Sequence, residues 1–208
     1  RSECLTEDAL AAFLSKLTGV IPPRDPTSAK LQLRISARII NSVANATSRN
    51  VTNATDALSL MTTVYENITT LARDYLLDYL HEDGNFSIEC VVIKAAQNNT
   101  GGIKRKRVSL PPASLINATQ ALIVTLPTNP YSAKHTPTDA KVLDTAITVD
   151  LWRDKTKLHD LGNASVLLTF PFDNSTAPFG GVPFCMQWDE WAEQYIDAHC
   201  NVSVTDES

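Results

Sequence analysis

Ten asparagines sit in the context that accepts an N-linked glycan. The Asn-x-Ser/Thr triplet occurs at Asn45, Asn50, Asn53, Asn67, Asn85, Asn98, Asn117, Asn163, Asn174 and Asn201, ten of the thirteen asparagines. Serine and threonine make up 37 of 208 residues, so an unselected sequence would place only about two or three of thirteen asparagines in that context. The excess implies passage through the secretory pathway and a coat of N-linked glycans. In that compartment the four cysteines, Cys4, Cys90, Cys185 and Cys200, are expected to be oxidised, and four cysteines allow three pairings.

Other chemistry is sparse. His81, His135, His159 and His199 are scattered, with no His-Glu-x-x-His pattern and no cysteine pair at metal-finger spacing, so they read as isolated surface residues. There is no Gly-x-Ser-x-Gly elbow and no phosphate-cradling glycine loop. No catalytic, metal or cofactor site is assigned, and a non-enzymatic role is expected. Lys104-Arg-Lys-Arg107 is the one basic run; a processing protease could read it, but the plainer reading is a solvated loop entering a strand. Asp189 and Glu190 lie between Trp188 and Trp191, and without a pocket or an acid-base spacing they read as the wet side of that segment.

A net charge of -5 and pI near 5.3 leave no electrostatic footprint for nucleic acid. No apolar run reaches membrane-span length and no charged leader followed by an apolar stretch opens the chain, so direct membrane insertion by these residues is not expected. A start at Arg1 and an end at polar Ser208 raise the expectation of a segment cut from a longer, processed precursor.

The elements that must position these residues fall into two halves. Thr6 to Gly19 reads as a helix with Leu10, Phe13, Leu14 and Leu17 on one face, and the prolines of Ile21-Pro-Pro-Arg-Asp-Pro26 break it. A second helix is expected from Thr27, with Ile35, Ile39, Ile40 and Val43 on one side, although Leu31, Leu33 and Ile35 alternate as in a strand. Apolar residues from Ala57 to Leu80 keep helical spacing, and Gly84 supplies the stop. Asn67 lies roughly 110° from the centre of that stripe, which directs its glycan away from the core. After Gly84 the texture turns to short β-rich runs over residues 86–93, 106–110, 121–126, 142–151 and 164–170. The expected fold is α+β: a small N-terminal helical subdomain, residues 1–84, followed by an antiparallel β-sandwich subdomain, residues 85–208.

The stretch Val182 to Cys200 packs two cysteines, two tryptophans and a tyrosine into nineteen residues. Trp188, Trp191, Ala192, Tyr195 and Ile196 follow a helical stripe. Helices, then a sandwich, then Phe-Cys-x-x-Trp with a further Trp and Cys together resemble the GAIN domain (GPCR autoproteolysis-inducing) of adhesion G-protein-coupled receptors and polycystin-type membrane proteins. Cys185, Trp188, Trp191 and Cys200 are similar to the structural residues of its GPS motif, the site of self-proteolysis. Val108-Ser-Leu-Pro-Pro112 resembles the strand-to-proline element of the family's β-subdomain. Asn129-Pro-Tyr131 resembles the Asn-Pro-aromatic step of the polycystin branch. Ala146 to Leu151 and Val166 to Pro171 resemble the strands that lead into the motif.

The resemblance implies a membrane-proximal module on the extracellular side of the plasma membrane, cilia included, that holds a following strand until force or a ligand releases it. Its partners would be the remainder of its own precursor, namely that strand and a membrane anchor, and an extracellular protein or glycan ligand. The polycystin branch is the first choice, an adhesion receptor the second, and a plain secreted adhesion or matrix domain without a release mechanism the third. The family's self-cleavage residues lie beyond Asn201 to Ser208 and none is assigned here. The family pattern joins Cys185 and Cys200 to cysteines of the following strand and leaves Cys4 with Cys90; without that strand, Cys185 pairs with Cys200 and Cys4 again with Cys90. The tryptophan stripe implies a short helix where the family has a hairpin, and the interval from Trp191 to Cys200 is longer than the family's.

Overall fold

Asp25-Pro26 starts the first described helix. The Asp25 carboxylate accepts hydrogen bonds from the backbone N–H groups of Thr27 (2.8 Å) and Ser28 (2.9 Å), and Pro26 occupies the first helical position, where its missing N–H costs nothing. These bonds, that to Ser28 first, hold the Asp25 carboxyl below its usual range. In the computed structural model the described residues are 25–48, 54–75, 77–84, 86–93, 102–126, 129, 145–159, 161–170, 184–189, 192, 194–197 and 200–204. The helix expected from Thr6 to Gly19 lies outside them.

Helix α1, Pro26–Ser48, resolves the ambiguity of its sequence in favour of the helix: Leu31 is exposed while Ala29, Leu33, Ala37, Ile40 and Val43 are buried along one stripe. It packs on α2, Ala54–Asp74, whose inner side is Met61, Val64, Ile68, Leu71 and Ala72. Here one expectation is corrected. The helix stops at Asp74, six residues before Leu80, and Tyr79–Asp83 forms strand β1, paired with β2, Phe86–Val92, from Tyr79↔Cys90 to Asp83↔Phe86. Tyr75, Tyr79 and Leu80 satisfy the helical period, but Tyr79, His81 and Asp83 also satisfy the strand period. The ladder wins because Gly84, at φ 62°, lets the chain reverse there. Gly84 is thus a hairpin residue and not a helix stop.

The remaining elements are β3 (Ile103–Lys104), β4 (Val108–Leu110), the one-turn α3 (Ala113–Ile116), β5 (Gln120–Leu126), β6 (Ala146–Arg153), β7 (Thr156–Lys157), β8 (Leu167–Leu168), β9 (Met186–Asp189) and β10 (Gln194–Asp197). Strands β1-β2-β5-β6-β7 form one antiparallel sheet in that order, β3-β4-β8 a second, and β9 and β10 a separate pair. The strands expected over 106–110 and 164–170 are shorter than their sequence runs, reduced to Val108–Leu110 and Leu167–Leu168. Asp154 and Lys155, both at positive φ, close the β6–β7 hairpin in the two-residue form that suits the twist of paired strands.

One face of the five-stranded sheet, with Phe86, Ile88, Cys90, Leu122, Val124, Leu126 and Trp152, shares a core with the two helices. The opposite face, with Val91, Ile93, Ala121, Ile123 and Leu151, packs against Val108 and Leu110 of the second sheet and against Ile116. The protein is α+β, with an N-terminal helical part laid on a largely antiparallel sandwich.

Polar groups also join the layers. The Tyr65 hydroxyl of α2 donates to Asp150 Oδ2 of β6 at 2.8 Å, and Lys157 Nζ of β7 meets Asp150 Oδ1 at 2.7 Å. Gln120 Nε2 donates to the carbonyl of Ala72 near the end of α2, which also accepts the Leu77 N–H at 3.2 Å. On the same face His81 sets its ring edge to Phe86, centroids 6.3 Å apart, and its Nε2 is buried without a partner. Burial, and then the Arg34 charge, hold its pKa below the ordinary 6.5; Asp83 opposes and Arg38 adds to the fall.

Leu122 is fully buried on the central strand, and Leu122→Ala is expected to cost about 2–5 kcal/mol in chemical denaturation through lost transfer energy and a cavity. His81 binds its proton more weakly folded than unfolded, so its contribution is complete above pH 6.5 and is lost as pH falls through its folded pKa. Denaturation midpoints between pH 7 and 5 are expected to fall less steeply in His81→Gln; an unchanged slope would remove His81 from the acid response.

Candidate functional site

The aromatic terminal segment is a β-hairpin. Strands β9 and β10 pair from Gln194↔Asp189 to Asp197↔Met186, which sets Trp188 opposite Tyr195. The helix expected from the Trp188, Ala192, Tyr195 spacing is therefore overturned. The Asp189 carboxylate accepts the Ala192 N–H at 3.1 Å, a bond that a helix N-cap would also make, so it is the β9–β10 ladder that decides for the hairpin. Trp191 lies outside the described residues.

Two links fix the hairpin. Cys185 and Cys200, just outside its strands, are joined in a disulfide with Cα atoms 6.0 Å apart, within the ordinary range. Closing that short loop, with a sequence separation of 15, is worth about 3 kcal/mol in the chain-entropy account. The pairing with cysteines of a following strand, implied by the family resemblance, is not the one observed: the register brings these two cysteines together. Asn129, 8% exposed, is the second link, and its Nδ2 donates to the Tyr195 hydroxyl at 3.0 Å. Burial raises the Tyr195 phenol pKa, with the Asn129 bond acting against it. The sequence marked Asn129 only by its place before proline; its bond to a tyrosine 66 residues away has no local signal.

The expected Cys4–Cys90 bond is also corrected. Cys90 is a free thiol, 1% exposed, between its cross-strand neighbours Tyr79 and Leu122 on the face that meets the helices. Its sulfur serves as core packing, since a bond there would have to displace that layer. Burial foremost, with Glu89 and Asp78 adding, pushes its pKa up to about 12. Cys4 lies outside the described residues.

Among the sequons, Asn117, Asn163 and Asn201 are exposed, Asn117 with positive φ at 48°. Asn45 falls in the last turn of α1. Asn67 departs from expectation: it is half-buried at the seam of the helices, with Nδ2 3.4 Å from the hydroxyl of buried Ser36. The same nitrogen would carry a glycan. Asn50, Asn53, Asn85, Asn98 and Asn174 lie outside the described residues. The basic run closes a hairpin, with Lys104 ending β3, Val108 opening β4, and the Arg105 N–H donating to the Val108 carbonyl at 2.8 Å. Among the described residues no helix is long and apolar enough to cross a membrane.

Compared with known proteins, the chain matches no protein-family model and no curated protein.

Treating the folded, unreduced protein with iodoacetamide is expected to leave Cys90 unmodified until denaturant is added, and a peptide map is expected to recover Cys185 joined to Cys200. Rapid native alkylation of Cys90, or its recovery in a disulfide with Cys4, would reject the arrangement.

Proposed function

We propose that the chain is a non-enzymatic extracellular module similar to the GAIN domain of polycystin-type cell-surface proteins, with an adhesion receptor as the next choice. In this reading it stands near a membrane anchor, coated with N-linked glycans, and holds a following strand for self-cleavage or for release by force or a ligand. One observation carries it: the Cys/Trp-rich segment is a hairpin, the form the family has there, and the Asn of the polycystin-like Asn-Pro step bonds to it through Tyr195. The layout of helices laid against an antiparallel sandwich also supports it.

A second reading, a plain secreted adhesion or matrix domain, has an observation of its own. The Cys185–Cys200 bond leaves neither sulfur free to secure a following strand. Such a domain would share the glycans, the core and the stapled hairpin, and would lack release.

The readings separate on the precursor. Sequencing the transcript past Ser208 is expected to give a further strand with the family's self-cleavage residues, soon followed by a membrane span. A stop codon, or another soluble domain in that place, overturns the release module and leaves the plain domain.

A further inference from the structure

The basic run has no part in the proposed function, and its surroundings give it one. The β3–β4 turn carries Arg105, Lys106 and Arg107 over a cleft of about 400 Å³, whose other wall includes Glu82, Phe86 and Glu89 of the β1–β2 hairpin. Gly102, at φ 70°, fixes the approach of this hairpin: a Cβ there would meet the Leu110 carbonyl oxygen at 2.2 Å.

The charges are unequally matched. Arg105 forms an ion pair with Glu89, whose side chain is only 14% exposed, so that carboxylate is already answered. Lys104 and Lys106 are exposed, with no carboxylate partner among the described residues. Arg107 lines the cleft, and its Nη1 is buried with no hydrogen-bond acceptor. Arg107 is a half-buried cation at the cleft wall, with no carboxylate partner among the described residues, and an anionic oxygen brought into the cleft would answer its charge. Glu82 also lines the cleft, and its negative charge opposes an anion there.

We propose that this turn and cleft bind a sulfated glycosaminoglycan, with one sulfate on Arg107 inside the cleft and neighbouring sulfates or carboxylates along Lys104 and Lys106. Arginine forks match the oxygens of a sulfate, while the exposed lysines act as point charges for successive groups of a polyanion. The density of sequons implies passage to where such glycans occur, and at a net charge of -5 attraction for polyanions has to come from local basic patches such as this one. The inference rests on that extracellular placement and not on the GAIN-like reading, so either can fail alone.

Isothermal titration of a heparin oligosaccharide into the intact glycoprotein at several salt concentrations tests it. Wild type is expected to bind with an affinity that falls as salt rises. The double variant Lys104→Gln/Lys106→Gln should bind several-fold more weakly, with a log–log salt slope smaller by about one unit per lysine. Arg107→Gln should lose more, and Glu82→Gln should bind more tightly. Lys30→Gln, on an exposed position of α1, should match wild type. Absence of wild-type binding, equal loss in Lys30→Gln, or weaker binding in Glu82→Gln overturns the site. Full displacement by inorganic sulfate at the oligosaccharide's own concentration overturns the assignment to a polymer. The lysine variants lie on the surface, so their outcome stands even where Arg107→Gln perturbs folding.

Discussion

Every layer of this protein depends on the burial of both faces of one strand. All seven residues of β5, Gln120 to Leu126, are buried: Leu122, Val124 and Leu126 meet the helices, and Ala121 and Ile123 meet the second sheet. A strand in that position cannot alternate apolar with polar residues, because neither face reaches water. It can be polar only where a partner waits, and Gln120 gives its amide to the carbonyl of buried Ala72 near the end of α2. The central strand is thereby tied to the last turn of α2 as well as packed beneath it.

The polar ties across the helical face serve orientation more than adhesion. Removing Asp150 from water is unfavourable, and Tyr65 and Lys157 offset that cost with contacts directed from α2 and β7. Apolar packing tolerates a helix that slides along a sheet; a carboxylate held from two sides does not. The same face carries a histidine that burial keeps short of its proton and a cysteine that burial keeps protonated. Both are opposite expressions of one apolar environment, which disfavours whichever form is charged.

How much of this was legible in the sequence depended on the range of the interaction. Helix α1 could be read because its stripe is local, and β2, β5 and β6 because β-branched and apolar residues run together. The end of α2 could not, since Tyr79 and Leu80 fit both periods and only pairing with Cys90 and Glu89 decides between them. The terminal hairpin is hidden in the same way: Trp188 and Tyr195 are spaced for a helix yet are cross-strand partners in the ladder. The Cys4–Cys90 bond is what the two cysteine schemes leave over, and neither scheme registers the cross-strand row that keeps Cys90 a thiol. The unpartnered Arg107 nitrogen and the Asn129–Tyr195 bond depend on chain segments distant in sequence, for which a single sequence carries no period and no motif.

The stapled hairpin also has a mechanical side. Met186, Gln187, Tyr195 and Ile196 of its strands belong to neither core, and a hairpin pulled at its two ends opens like a zipper, one ladder bond at a time. Here tension applied at Asn201 enters Cys200 and crosses the sulfur bridge directly to Cys185, so the residues between are out of the line of force. The hairpin cannot lengthen under load to absorb a pull. What is felt at the C-terminal end passes undiminished to the chain before Cys185, while the Asn129–Tyr195 bond sits on the slack side of the bridge. The disulfide thus acts as a rigid coupling, short-circuiting the most aromatic part of the molecule and leaving it free to stay folded as the rest is strained.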